Sequence, residues 1–231
     1  MIPVLSIFDF LSALFCFFAA RRIYHSYKKT KNNKIGQFFW AFAILVVYFF
    51  VVSLPGFNFL KPEHVQIIYS FSYFLAFLPI IIFLKIVLEM NGVAWSKIGL
   101  SIIIISVFII SILSFLFSSP ARLEVYKSSF YHWEEGTPPS FRFLKGVIIG
   151  FLGFVCCSFF IRQGLKYKDK IIRVKTLYLG WGLGVLIIAA LSSFSIASQF
   201  SGSIIWWISL TVGRVLAVIG LGFMVRGIYA E

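Results

Sequence analysis

The sequence predicts an all-α integral membrane protein, a bundle of seven transmembrane helices. Three observations carry the prediction. Hydrophobic residues make up 60% of the 231 residues and charged residues only 13%, against about half and about a quarter in soluble domains. The mean hydropathy is +0.96, and 29 residues are Phe. The apolar residues collect into seven runs, each near the roughly 20 residues that a helix rising about 1.5 Å per residue needs to cross about 30 Å of hydrocarbon. The basic residues collect in alternate links between those runs. One membrane domain accounts for the whole chain, 1–231, and leaves no length for a soluble catalytic domain.

The runs fall at about 2–20, 38–54, 65–84, 98–117, 143–161, 177–198 and 203–225. The first carries Asp9, lacks a basic leader and is long enough to span, so it is not a cleaved signal peptide. The link RRIYHSYKKTKNNK follows it, with six basic residues and no acid. The second run ends at Pro55-Gly56. The third contains Pro79, which kinks a membrane helix at tolerable cost because neighbours re-satisfy the freed carbonyl. Lys85 and Glu89 at its end sit four apart and face each other along the helix. The fourth is rich in Ile and Ser. The longest link, 118–141, alternates LEVY, KSS and FYHWEEG before TPP. That pattern allows a short outer β-hairpin lying on the membrane, or else an irregular aromatic loop at the headgroup level. Gly146 and Gly150 in the fifth run, and Gly180 and Gly184 in the sixth, permit close helix approach within the chain. A tight SGS link joins runs six and seven.

Orientation follows from Lys and Arg counts. The links after runs one, three and five, with the C-terminus, hold fifteen of them. The other links hold five: Lys61, Arg122, Lys127, Arg142 and Lys145. Arg214 completes the 21. The N-terminus is therefore expected outside and the C-terminus in the cytoplasm of a multi-pass cell-membrane protein. The formal charge of +13 reads as this topology signal together with contact to anionic headgroups, not as nucleic-acid binding. The parallel order of basic links also permits a three-plus-one-plus-three repeat.

The seventh run places Arg214 near mid-membrane, where a guanidinium is costly unless paired or hydrated. Asp9 lies about seven residues from the outer face and Arg214 about eleven, an offset of roughly 5 Å. The two residues can form an intramembrane ion pair, either as a structural clamp or as part of a ligand site. Gln66, Tyr69 and Tyr73 share one face of run three, and Ser192 and Ser195 stand in run six. These outer-half groups either line a pocket with Arg214 for an anionic or amphipathic ligand, or hydrogen-bond between helices. Glu63, His64, His132, Glu134 and Glu135 lie in outer links with no spacing that fixes a metal site. Cys16, Cys156 and Cys157 lack zinc-site spacing and imply no disulfide framework. No cofactor is expected. Enzyme readings fall away because no Lys stands mid-helix for a Schiff base, every His lies in a link and none is expected to be buried, and no nucleotide-binding glycine loop is present.

The run ending ARRIYHSYKKTKNNK, followed by IGQFFWAFAILVV, and the basic entry RVKTLYLGWGLGVLIIAAL into a Gly-rich sixth helix, resemble the seven-helix N-terminal regions of bacterial sensor histidine kinases. Related stand-alone bacterial seven-helix proteins have a similar outer stretch to FYHWEEGTPPSF. The resemblance covers the chain loosely, and no functional residue is carried over. It implies a sensor-like or partner-binding module that signals through a separate partner, since the chain stops soon after Arg226. The alternatives are a small transporter or transporter subunit, and a scaffold subunit of a membrane complex.

Overall fold

A computed structural model of the chain describes residues 2–57, 60–92, 97–126, 130–200 and 203–230. Seven helices follow in order: α1 (Val4–Thr30), α2 (Asn33–Phe57), α3 (Pro62–Met90), α4 (Lys97–Leu116), α5 (Pro139–Lys166), α6 (Lys170–Gln199) and α7 (Ile204–Tyr229). Among the described residues, α1, α2, α3, α5, α6 and α7 are long and apolar enough to cross a membrane. Between α4 and α5, strands β1 (Arg122–Tyr126) and β2 (Phe130–Glu134) pair antiparallel, with Leu123 opposite Trp133 and Val125 opposite Tyr131. Lys127 with the rest of the KSS turn, the SG of the link between runs six and seven, and Glu231 lie outside the described residues.

Most helices outrun their apolar stretches, because backbone hydrogen bonding continues into the polar layer once started. The basic run after Ala20 is thus the last part of α1. Lys28 and Lys29 in its final turn complement the helix dipole. Lys31 ends the helix in the left-handed region at φ 53°, and its N–H bonds to Tyr27 O. The expected stop at Pro55-Gly56 is corrected: α2 continues to Phe57 with Pro55 inside it. Proline removes only one ladder bond there. Gly56 lets α1 come close, since a Cβ at that position would strike the side chain of Ser6. Asp169 caps α6 by accepting from the N–H groups of Ile171 and Ile172 at 2.8 and 3.0 Å, and Ser203 Oγ accepts from the Trp206 N–H at 3.3 Å. Within α6, residues Leu191–Ile196 widen into a π turn.

Six helices form a ring in the order α1, α2, α3, α5, α6, α7, which closes where α7 packs on α1. α4 sits outside it, chiefly against α3. Glycines make the tight seams. A Cβ on Gly146 would press on Phe194 and Ser195 of α6, one on Gly150 on Leu191, and one on Gly180 on the α5 backbone. Gly182 and Gly220 bring α6 and α7 together; a Cβ on either would lie 2.7–2.8 Å from the other's carbonyl oxygen. The small-residue pairs are thus consumed inside the chain.

The two ends of the bundle differ. At one end the Tyr131 N–H donates to Ile2 O (3.3 Å), and the Tyr131 hydroxyl donates to Gly56 O. The strands therefore lie against the start of α1 and the end of α2. At the other end Gln37 Nε2 donates to Glu89 Oε2 (3.2 Å), Lys85 pairs with Glu89 (3.8 Å), and the Tyr229 hydroxyl donates to Phe18 O (3.3 Å).

Candidate functional site

Arg214 is carried inward by α7, whose Gly213 lets that helix approach α6 at Ala189 and Ser193. Its Nε lies 2.7 Å from Asp9 Oδ1 on α1. The second Asp9 oxygen, Oδ2, is buried and has no hydrogen-bond partner. The guanidinium also donates from Nη1 to Ser193 Oγ at 3.2 Å. Ser193 reaches it from the π turn of α6, whose extra residue per turn shifts side-chain directions relative to a regular α-helix. Asp9 is buried, as is Ser12 one turn further along α1. The pair is a charge contact with hydrogen-bonding capacity left over.

Arg214 is also the joint between two cavities. Toward the strand end lies a polar one of about 30 Å³, bounded by Tyr69, His132, Glu135, Arg142, Lys145 and Trp206 among others. A space of that size accommodates one or two water molecules. Toward the bundle centre lies an apolar one of about 110 Å³, walled by residues such as Phe49, Ile80, Leu186 and Ala217. Tyr48, Ser193, Phe194 and Arg214 line both. A third cavity, about 320 Å³, opens near the basic end. Between it and the central one stands an aromatic cluster: Phe38 against Phe83 (5.8 Å between ring centroids) and Phe160 (6.1 Å), and Phe42 against Phe83 (6.2 Å).

The expected site residues divide. Asp9 and Arg214 are together, and Tyr69 joins the polar cavity wall. Tyr73 is fully buried beside Lys145. The other three follow the hydrogen-bonding alternative and do not line these two cavities. Gln66 Nε2 donates to Ser118 O (3.0 Å), Ser192 Oγ to Ser209 O (2.8 Å) and Ser195 Oγ to Phe143 O (3.4 Å). Short hydroxyls within reach of a neighbouring backbone carbonyl spend themselves there. Glu63 and His64 are exposed in the first turn of α3.

Two further corrections concern residues taken as link. Arg142 and Lys145 belong to α5 and are buried. Arg142 meets Glu134 at 3.4 Å. Lys145 Nζ sits over the rings of Tyr73 (3.4 Å) and Phe194 (4.0 Å), where ring quadrupoles attract a cation. His132, expected in an open link, is buried on β2 between Tyr69 and Trp206. Burial, and then the charge of Arg214, pull its imidazole from 6.5 down to about 3, so the ring is neutral. The signal available in the sequence was the spacing FRFLKG, which puts a cation one turn inside a helix start and beside a close-packing glycine.

Searches against protein-family models, curated proteins and solved structures found no match.

Proposed function

We propose that the chain is a sensor-like membrane module that binds a small ligand in the outer half of its bundle. The observation that carries this reading is the buried Asp9–Arg214 pair. It links the first and last helices of the ring and borders a polar cavity on one side and an apolar one on the other. Ionisable groups at membrane depth mark ligand or ion paths far more often than chance placement would. The phenylalanine cluster below supports a closed inner side, as a sensor needs. The resemblance of ARRIYHSYKKTKNNK and RVKTLYLGWGLGVLIIAAL to histidine-kinase sensor regions agrees.

In this reading the chain crosses the membrane seven times. α3 runs from the strand end to the basic end, and α5 starts again at the strand end, so α4 must make the return although it packs outside the ring. The strand pair is an outer hairpin, and the basic ends of α1, α3 and α5 face the cytoplasm and its anionic headgroups. A transporter is the second reading. It is favoured by the ring of two helix triplets with α4 outside and by the inner cavity near the basic end.

A panel of small metabolites screened for thermal stabilisation of the purified protein tests the proposal. At least one compound should raise the Tm of the wild type and not that of the Asp9→Asn/Arg214→Gln double variant. A panel without effect, or with equal effect on both proteins, contradicts it. Uptake of the stabilising compound into proteoliposomes would select the transporter reading; binding without uptake selects the sensor.

A further inference from the structure

We propose that the polar cavity holds the carboxylate of a small organic monoanion whose apolar end passes Arg214 into the central cavity. This rests on the ligand-binding reading above and gives that ligand its chemistry.

The first argument is the hydrogen-bond balance of the cavity wall. Two buried polar atoms on residues lining it lack a hydrogen-bond partner and face no carboxylate at ion-pair distance: Trp206 Nε1 and Arg142 Nε. Both are donors, while Arg214 Nε is taken up by Asp9. Trp206 is only 1% exposed, so bulk water does not satisfy its N–H. Indole and guanidinium can only donate, and a surplus of buried donors calls for an acceptor-rich occupant.

The second argument is charge. Arg142, Lys145 and Arg214 line the cavity, against the two carboxylates Glu134 and Glu135. Arg142 is engaged by Glu134 and Arg214 by Asp9 from behind. Lys145, 1% exposed, is held by ring faces, and among the described residues no ion pair with it is found. With Asp9 counted, three carboxylates already balance the three cations, so the wall admits at most one further negative charge, held by Lys145 and the unpartnered donors. A second would meet Glu134 and Glu135, which disfavours a dianionic phosphate.

The third argument is shape. The central cavity shares Tyr48, Ser193, Phe194 and Arg214 with the polar one and is otherwise lined by apolar side chains and by the small residues Gly153 and Gly213. Its volume of about 110 Å³ is somewhat below that of a cavity that holds benzene. The occupant's tail is therefore smaller than a benzene ring, a chain of about five carbons at most.

The test is calorimetric titration of the full chain in lipid nanodiscs at neutral pH with hexanoate, benzoate, hexanol, hexylamine and inorganic phosphate. Hexanoate should bind saturably and more tightly than benzoate, whose ring exceeds the cavity, while hexanol, hexylamine and phosphate should not bind. Lys145→Met, which keeps the stem over Tyr73 and Phe194, should weaken carboxylate binding about tenfold or more, the scale of a lost bond to a charged group. Trp206→Phe should weaken it several-fold, and it serves as a second test should Lys145→Met not fold. Equal binding of hexanol and hexanoate would overturn the proposal, since it would mean partition into an apolar space. So would carboxylate binding unchanged in both variants. Saturable binding of hexylamine or phosphate alone would overturn the carboxylate assignment and leave the ligand-binding reading standing. No binding by any of these probes, with no stabilising compound in the metabolite panel, would remove both.

Discussion

A guanidinium in hydrocarbon costs about 2.5–3.5 kcal/mol on insertion scales, and Arg214 meets that cost with Asp9 and Ser193. Removing one partner leaves the other charge buried alone. Asp9→Asn and Arg214→Gln should each lower stability by about 3–5 kcal/mol, while the double variant loses clearly less than the sum. A double-mutant cycle of unfolding free energies in detergent checks this, and additive losses would deny the coupling. His132 adds a pH dependence. Its folded value of about 3 lies below the unfolded value near 6.5. Between those limits the unfolded chain binds more protons, so stability rises with pH. The contribution is complete above about pH 6.5 and falls by up to about 1.4 kcal/mol per pH unit on acidification. His132→Phe, which fills the same space beside Tyr69 and Trp206 without a titrating group, should flatten the Tm profile between pH 7 and 5. Of this site, Asp9 and Arg214 were legible in the sequence because charge in an apolar run is conspicuous. Lys145 and His132 were not, because a basic or imidazole residue near a run's end looks the same whether it faces headgroups or a cavity.

At the scale of the element, the seams made by glycine are the sharpest test. Gly182→Val would drive a branched side chain against Gly220 O and Met224 on α7 and should cost about 1–3 kcal/mol as overpacking. Gly222→Ala meets nothing within 4 Å and should leave the Tm unchanged or slightly raised, given alanine's better helix propensity. Equal melting of the two variants would mean that α6 and α7 do not meet at Gly182. Element types were readable from hydropathy, whereas their ends were not. Pro55-Gly56 reads as a stop in isolation, yet in the fold it becomes the place where α2 touches α1 and β2. The π turn at Leu191–Ile196 has no sequence mark beyond the serine run LSSFS. It exists because Ser193 and Phe194 have partners in Arg214 and Lys145, contacts that no local pattern encodes.

For the whole molecule, the apolar runs predicted a bundle, but not that six helices would close a ring and leave α4 outside it, chiefly against α3. Lateral order depends on long-range fit between helix faces, which all look similarly apolar here. The ends are better determined, because Tyr131 ties the strands to Ile2 and Gly56 while Gln37 ties α2 to Glu89 at the far side. The central claim is that this bundle spans the bilayer with the strands outside and the basic ends inside, so that Arg214 lies within the membrane. The most direct measurement is single-cysteine labelling with an impermeant maleimide, in a background where Cys16, Cys156 and Cys157 are replaced. Cysteines introduced at the exposed positions Arg122 on β1 and Asn33 at the start of α2 report the two ends. Labelling of position 122 in intact cells, and of position 33 only after the membrane is opened, is the expected result; both positions reacting from the same side would contradict it.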